Sequence, residues 1–413
     1  MSAGEAPASG RPGVADAFRF RDFRLLWAGL LVGNVGFWMQ FTALGYYVAA
    51  LAPNAEVGAF DIGLIGAARA LPVLVLSPFA GVVADRYPRR RVLLATNAIG
   101  AGLALAIFAL IATRHAPLWT LMITSALQAA TMSFDSPARQ SWIPLLVPRE
   151  LVGRAIGLNS LAFNAPSVVG PPLAGVLIAA AGVAPCFLAS TFATLAVVAA
   201  VAAMKPAPPS SARRGDVVGA VLEGVRFLAG HPVLRWVVLL LVVSSLTVRP
   251  YTFLLPAYAV HVVHTDARGL GWLMAGNGIG ALLGASFTAA TGGARRGVIW
   301  LVSALAGSLA VALLGLTAHF ASAAAVLAVA GLAILSFVGS SNILLQLLAP
   351  DDMRGRAISV YSMILLGLLP LGSLLVGSLA AVLELRWTFV AVGALAAAVT
   401  LWIAASQPAV RSA

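Results

Sequence analysis

The chain has 413 residues, 61% hydrophobic and only 10% charged, with a formal net charge of +12. Soluble proteins are roughly 45–50% apolar and about 25% charged. A soluble enzyme, a nucleic-acid binder and a disordered scaffold are therefore excluded, and the apolar surface calls for a lipid bilayer. The one cysteine, Cys186, and five histidines without an HExxH spacing leave no disulfide, metal site or metal cofactor to expect.

Residues 1–22 are small and polar, with acids among arginines, and lack the apolar core of a signal peptide. They are expected to form a cytoplasmic tail. A bilayer core takes about 20 apolar residues per helix. Twelve such runs follow: 24–50, 61–84, 92–113, 117–138, 155–180, 184–203, 236–260, 269–291, 297–318, 322–348, 357–383 and 387–405. They predict an all-α membrane protein with two six-helix bundles, 23–203 and 236–405, and a second cytoplasmic tail over 406–413.

The polar stretch 204–235 divides the bundles. Lys205 to Arg214 reads as a hinge; beyond it Val218, Val221, Leu222, Val225 and Leu228 recur at helical spacing opposite Asp216, Glu223 and Arg226. That is the pattern of an amphipathic helix lying on a membrane surface, either a plain connector or a regulatory element. With the N-terminus inside, 21 Lys and Arg fall on the inner side and three (Arg114, Arg268, Arg386) on the outer, while Arg69 and Arg249 stay within apolar runs. The positive-inside rule then puts both termini in the cytoplasm, at the inner membrane.

The halves repeat one another. Pro148-x4-Gly153-Arg154-Ala155-Ile156-x3-Ser160 matches Pro350-x4-Gly355-Arg356-Ala357-Ile358-x3-Ser362 at an offset of 202, and the register persists from Gly170/Gly372 to Leu177/Leu379. Runs five and eleven therefore correspond, as in a duplicated unit with parallel repeats.

Between runs two and three stands Gly81-Val-Val-Ala-Asp85-Arg86-Tyr87-Pro88-Arg89-Arg90-Arg91. Gly81 permits close helix approach, and the Asp85 carboxylate at a helix end seeks a cation or a helix N-terminus. This segment resembles the GxxxDRxGRR signature of the major facilitator superfamily, with Pro88 in place of the usual glycine. The resemblance implies a twelve-helix transporter in which Asp85, beside Arg86 and Arg90, docks on Arg354-Gly355-Arg356. It also implies that Arg89 reaches Asp135, close to Arg139, at the inner end of run four. Such contacts would latch the halves together as the inner gate closes. Phe134 to Gln140 and Glu223 to Arg235 resemble the exporter branch that includes enterobactin exporters and macrolide or multidrug efflux proteins. Asn159, Asn164, Pro166 and Gly170-Pro171-Pro172-x2-Gly175 are similar to that branch's GPxxGG element, although helix packing alone accounts for them equally well.

Gly276-Asn277-Gly278-Ile279-Gly280 imitates a nucleotide loop but lies in an apolar run with no strand before it, so no cofactor is expected. Polar residues at membrane depth are Asn34, Gln40, Arg69, Asn97, Gln128, Arg249, Asn277, Asn342 and Gln346. Ionisable groups at such depth usually face a cavity. With no acid deep in any run, Arg249 and Arg69 are candidates for binding an anionic or zwitterionic cargo, with structural pairing as the alternative. Asn34, Gln40, Gln128, Asn277 and Asn342 join them as candidate polar contacts. Trp38, Phe41, Tyr46, Tyr251 and Phe253 are candidate aromatic walls or plain core. Asp135, and after it Asp85, are candidate proton carriers.

The expected function is secondary active, proton-driven export of amphiphilic, siderophore-like or drug-like molecules by a monomer. Import, or lipid and metabolite movement on the same fold, is the alternative. A membrane enzyme fails for want of a clustered His, Asp or Ser constellation, and a receptor for want of a sizeable soluble domain.

Overall fold

A computed structural model describes residues 14–205, 217–291 and 296–411, the side chains of a few residues in the second and eighth helices excepted. The first half runs α1 (Arg21–Leu51), α2 (Ala55–Arg86), α3 (Arg89–Ala112) and α4 (Leu118–Trp142). Its fifth crossing is broken into α5 (Val152–Asn164) and α6 (Pro166–Ala181), and α7 (Ala184–Ala202) completes it. The connector helix α8 (Val217–Gly230) leads to a crossing split into α9 (Leu234–Leu246) and α10 (Tyr251–His261). Then come α11 (Ala267–Ala290), α12 (Arg296–Leu316), α13 (Phe320–Leu348), α14 (Asp351–Leu383), α15 (Leu385–Ser406) and a final turn, α16 (Pro408–Arg411). The fold is twelve transmembrane crossings in two bundles of six. Eleven of these are long and apolar enough to cross a membrane; the remaining crossing is α4, 25 residues long but interrupted by Gln128, Asp135 and Arg139.

Three boundaries differ from the expected ones by four residues or more: the eleventh crossing begins at Asp351 rather than 357, and the other two bear on the site. The helix expected from residue 61 begins at Ala55, where the Asn54 side chain accepts from the Val57 N–H at 2.9 Å. Glu56 and Asp61 make this first turn look like loop. Arg69 is consequently about 21 Å into α2 at the standard rise, near mid-membrane. The helix expected to end at 138 continues to Trp142, with Pro137 inside it. Asp135 therefore lies about 10 Å inside the helix end. The expectation that no acid lies deep in the bundle is corrected accordingly.

Three apolar cores organise the molecule. One is shared by both halves, uniting Ala43, Ile62 and Phe187 with Tyr251, Leu255, Leu270 and Phe389. It lies toward the end of the bundle opposite the termini. At the other end, where most arginines sit (the basic end), the cores are separate. One holds Phe23, Leu93, Trp142 and Leu158 from the first half; the other holds Leu228, Trp300, Phe337 and Tyr361 from the connector and second half.

The seam between halves follows the same division. Away from the basic end it is backbone-tight: a Cβ on Gly63 would meet Ser373 O at 2.9 Å, and one on Gly271 would meet Pro171 O at 2.7 Å. His261 Nε2 lies 2.8 Å from Ala49 O across that seam, and Phe41 meets Phe253 edge-on at 5.3 Å. Toward the basic end Gly153, Gly157 and Gly355 face open space, and the α5 face carrying Gly157, Ser160 and Asn164 is exposed. Polar and small groups on that face mark a cleft rather than a lipid surface. The bundle is closed at one end and open at the basic end.

Candidate functional site: a charged cavity inside the first bundle

On α1, Asn34, Phe37 and Gln40 recur at a spacing of three, and on α4 Gln128, Thr131, Asp135 and Arg139 recur at three or four. Each set shares one helix face. The two faces meet α2, α3, α5 and α7 around a cavity of about 120 Å³. Arg69, Thr96, Asn97, Phe163, Ser190 and Thr194 also line it, with apolar and glycine positions between them.

The cavity's polar groups form two networks. Gln40 Nε2 donates to Gln128 Oε1 at 2.7 Å, and Ser190 Oγ donates to Gln40 Oε1 at 2.9 Å. Asp135 Oδ1 accepts from Asn97 Nδ2 at 2.7 Å and from Thr96 Oγ1 at 3.4 Å. Its Oδ2 lies 3.5 Å from Arg139 Nε, and the Arg139 guanidinium stands 5.7 Å from the Phe163 ring centroid. Asn34 Nδ2 ties α1 to α5 through Ala162 O at 3.1 Å. Among the described residues, Arg69 has no hydrogen-bond or ion-pair partner.

The candidate cargo residues thus divide. Asn34, Gln40, Arg69 and Gln128 converge on this cavity. Arg249 is in the second half, where its Nη1 donates to Ser245 Oγ and to Leu365 O, both at 3.3 Å. These bonds hold the break between α9 and α10 against α14. Tyr251 hydroxyl bonds Asn277 Oδ1, and Gln346 bonds Asn342. Trp38 stands edge-on to Phe41 at 5.5 Å, next to the Phe41–Phe253 contact between the halves.

A second, much smaller void of about 10 Å³ lies in the second bundle. The second is lined by apolar residues and serines and has room for about one water; only the first holds charge.

Of the expected gate, Gly81, Asp85 and Arg86 have side chains outside the described residues. Arg89 Nε donates to Ser141 Oγ at 2.9 Å, and Arg139 holds Asp135 in the position expected of Arg89. Arg90 reaches the Val201 and Ala202 carbonyls at the end of α7. Arg354 pairs with Asp351 at 2.8 Å, and Arg356 pairs with Glu223 of α8 at 3.0 Å. Sequence reasoning missed the cavity's hydroxyl groups, Thr96, Thr131, Ser190 and Thr194. Ser190 and Thr194 carry a usable signal, two hydroxyls four residues apart in an apolar run. It also missed the Glu223–Arg356 pair, which no local spacing announces.

Comparison with known proteins places this architecture among transporters. A family described as transmembrane secretion effectors matches residues 14–413. The multidrug efflux pump Tap of Mycobacterium tuberculosis is 28% identical over 370 residues, covering 86% of this chain and 87% of that protein. The enterobactin exporter EntS of Citrobacter koseri is 31% identical over 311 residues, covering 73% and 71%. Among solved structures, a bacterial homologue of the lysosomal transporter Spinster, inward-facing and unoccupied, superposes with a TM-score of 0.71 at 14% identity over 95% of this chain and 99% of that one. A bacterial homologue of ferroportin, also inward-facing, gives 0.64 at 18% identity over 92% and 98%.

Proposed function

This chain belongs to the transmembrane secretion effector family of the major facilitator superfamily, and we propose that it is a secondary active exporter of amphiphilic organic molecules, coupled to proton entry. The carrying observation is the charged cavity of the first bundle, with Asp135 held by Asn97, Thr96 and Arg139 deep in a crossing. A carboxylate there has two states. Ionised, it binds Arg139; protonated, it loses that attraction and frees the guanidinium. The two states favour different packings of α4, which is what a coupling group has to do.

The arginine-rich end is assigned to the cytoplasm by the positive-inside rule, with both termini there. The open cleft then faces the cytoplasm and receives cargo between the halves, walled by Trp38, Phe41 and Phe253 and flanked by Asn277 and Asn342, with Tyr251 buried behind Asn277. Closure of that end would bring Asp85, with Gly81 and Arg86, onto Gly355 and Arg356, and Arg356 would leave Glu223. Arg249 acts as a brace for the broken seventh crossing. The kinship with an enterobactin exporter supports an anionic or zwitterionic cargo. The protein works as a monomer, each chain carrying both bundles.

Proteoliposomes with an imposed pH gradient test this reading, using enterobactin and the lipophilic cation ethidium as alternative cargoes. Wild type should drive enterobactin into the acidic compartment, and Asp135→Asn should lose accumulation while retaining downhill exchange. Uphill transport by Asp135→Asn under a pH gradient alone removes Asp135 from coupling. Preferential transport of ethidium removes the anionic preference.

A further inference from the structure

We propose that Arg69 holds a small monovalent anion inside the first bundle, at a site separate from the cargo cleft. Most other polar groups around it have a protein partner, while the Arg139 guanidinium meets only Asp135, at 3.5 Å and without a hydrogen bond. Gln40, Gln128 and Ser190 satisfy one another, and Asn97, Thr96 and Arg139 converge on Asp135. Arg69 alone lines the cavity with five N–H donors and no acceptor among the described residues. An arginine at this depth pairs with an acid, reaches backbone carbonyls or meets a ligand. Arg249 shows the second solution in the same molecule; Arg69 has neither of the first two.

Charge balance points the same way. Arg69 and Arg139 carry two positive charges into the cavity and Asp135 one negative, leaving one uncompensated cation near mid-membrane. One monovalent anion cancels it. Size limits the ligand as well: about 120 Å³ admits a halide or a carboxylate group with a few waters, whereas a drug-sized molecule takes roughly 300 Å³ or more. The smaller void in the second bundle has no charged lining residue and is too small for an ion with its waters. The site therefore belongs to one half of the duplicated fold. Its occupant is either free halide or the carboxylate of a bound organic acid, and both present one negative charge to the guanidinium.

Binding can be read on the purified full-length protein without any transport, so its outcome is independent of the export reading. The thermal unfolding midpoint is followed against potassium chloride, and separately against potassium acetate, with ionic strength held constant by potassium sulfate, whose divalent anion does not match a single uncompensated cation. Wild type should show a rise that sets in near Kd and then grows with the logarithm of concentration, because a ligand that binds only the folded state stabilises it in proportion to ln(1 + [L]/Kd). The rise should vanish in Arg69→Gln and persist in Arg249→Gln. Asp135→Asn removes the competing negative charge and should lower the concentration of onset on the order of tenfold, given a like charge in the same cavity in a medium of intermediate dielectric. A response to chloride identifies a halide site, and a response to acetate alone identifies a carboxylate site. No rise with either salt overturns the proposal, as does an equal rise in wild type and Arg69→Gln. If Arg69→Gln does not fold, the Asp135→Asn titration decides, and an unchanged concentration of onset overturns it.

Discussion

Gln40 has both ends of its amide engaged, donating to Gln128 and accepting from Ser190. Removing one member strands the others in a site shielded from bulk water, and an unsatisfied buried polar group costs about 1–3 kcal/mol. Partner exchange within membranes softens this, with measured couplings averaging about 0.6 kcal/mol. Gln128→Leu is therefore expected to destabilise the protein by about 1 kcal/mol. The double variant Gln40→Leu/Gln128→Leu should cost less than the sum of the two single changes, because it leaves no stranded amide between α1 and α4. A double-mutant cycle on unfolding in detergent measures this; strict additivity would show that the two glutamines do not support each other.

Among the elements, the start of α9 is held by an unusual cap. His231 Nδ1 accepts from the backbone N–H groups of Val233 and Leu234 at 3.2 and 3.1 Å, and its ring packs against Phe227 of α8. Only the neutral ring can accept, and burial pushes the imidazole below its ordinary value. The unfolded chain thus takes up a proton at a higher pH than the folded one. Stability from this group is present above the unfolded value of about 6.5 and falls as pH drops from there toward the folded value. Hydrogen exchange at the α8–α9 junction should accelerate on acidification below pH 6.5. His231→Asn, which caps without titrating, should flatten that dependence, and equal pH profiles for the two proteins would remove the cap from the account.

The elements also show what the sequence made readable. Apolar runs and the arginine bias marked the crossings because the bilayer imposes one length and one charge asymmetry on all of them. Pro137 looked like a stop and was not, since neighbouring helices in a bundle can satisfy a carbonyl that proline frees. Glu56 and Asp61 hid the first turn of α2 behind local polarity. Arg69 reads at membrane depth from the sequence, whereas Asp135 reads as a helix-end group, so the cavity they share is not legible from spacing alone. The linker helix was legible from its spacing, but its ion pair to Arg356 depends on tertiary placement alone.

For the molecule as a whole, one core is shared between the halves and two are separate, so the halves adhere at one end and part at the other. The proposed latch acts at the parted end. Asp85→Asn should leave the protein inserted but raise the fraction open at the basic end and reduce transport. Spin-label distances between α5 and the basic-end half of α11 report that fraction. Distances and transport both equal to wild type would show that Asp85 has no part in closing that end.

The low apolarity of α4 also bears on how the protein is made. Insertion scales charge about 2.5–3.5 kcal/mol for an Asp or Arg at the centre of a lone helix; α4 carries Asp135 and Arg139 seven and three residues from its end, where the cost is smaller, together with Gln128. Leaving the translocon alone, it would be a poor entrant. Its acid is matched by Arg139 one turn away and by Asn97 and Thr96 on α3, the helix synthesised just before it. The groups proposed to couple transport therefore also serve as the helix's escort into lipid, and entry of α3 and α4 as a hairpin lets their polar faces meet before either faces lipid. A substitution in this cluster can silence the transporter at biogenesis, before any cycle begins, so the amount of protein reaching the membrane is part of reading every such variant.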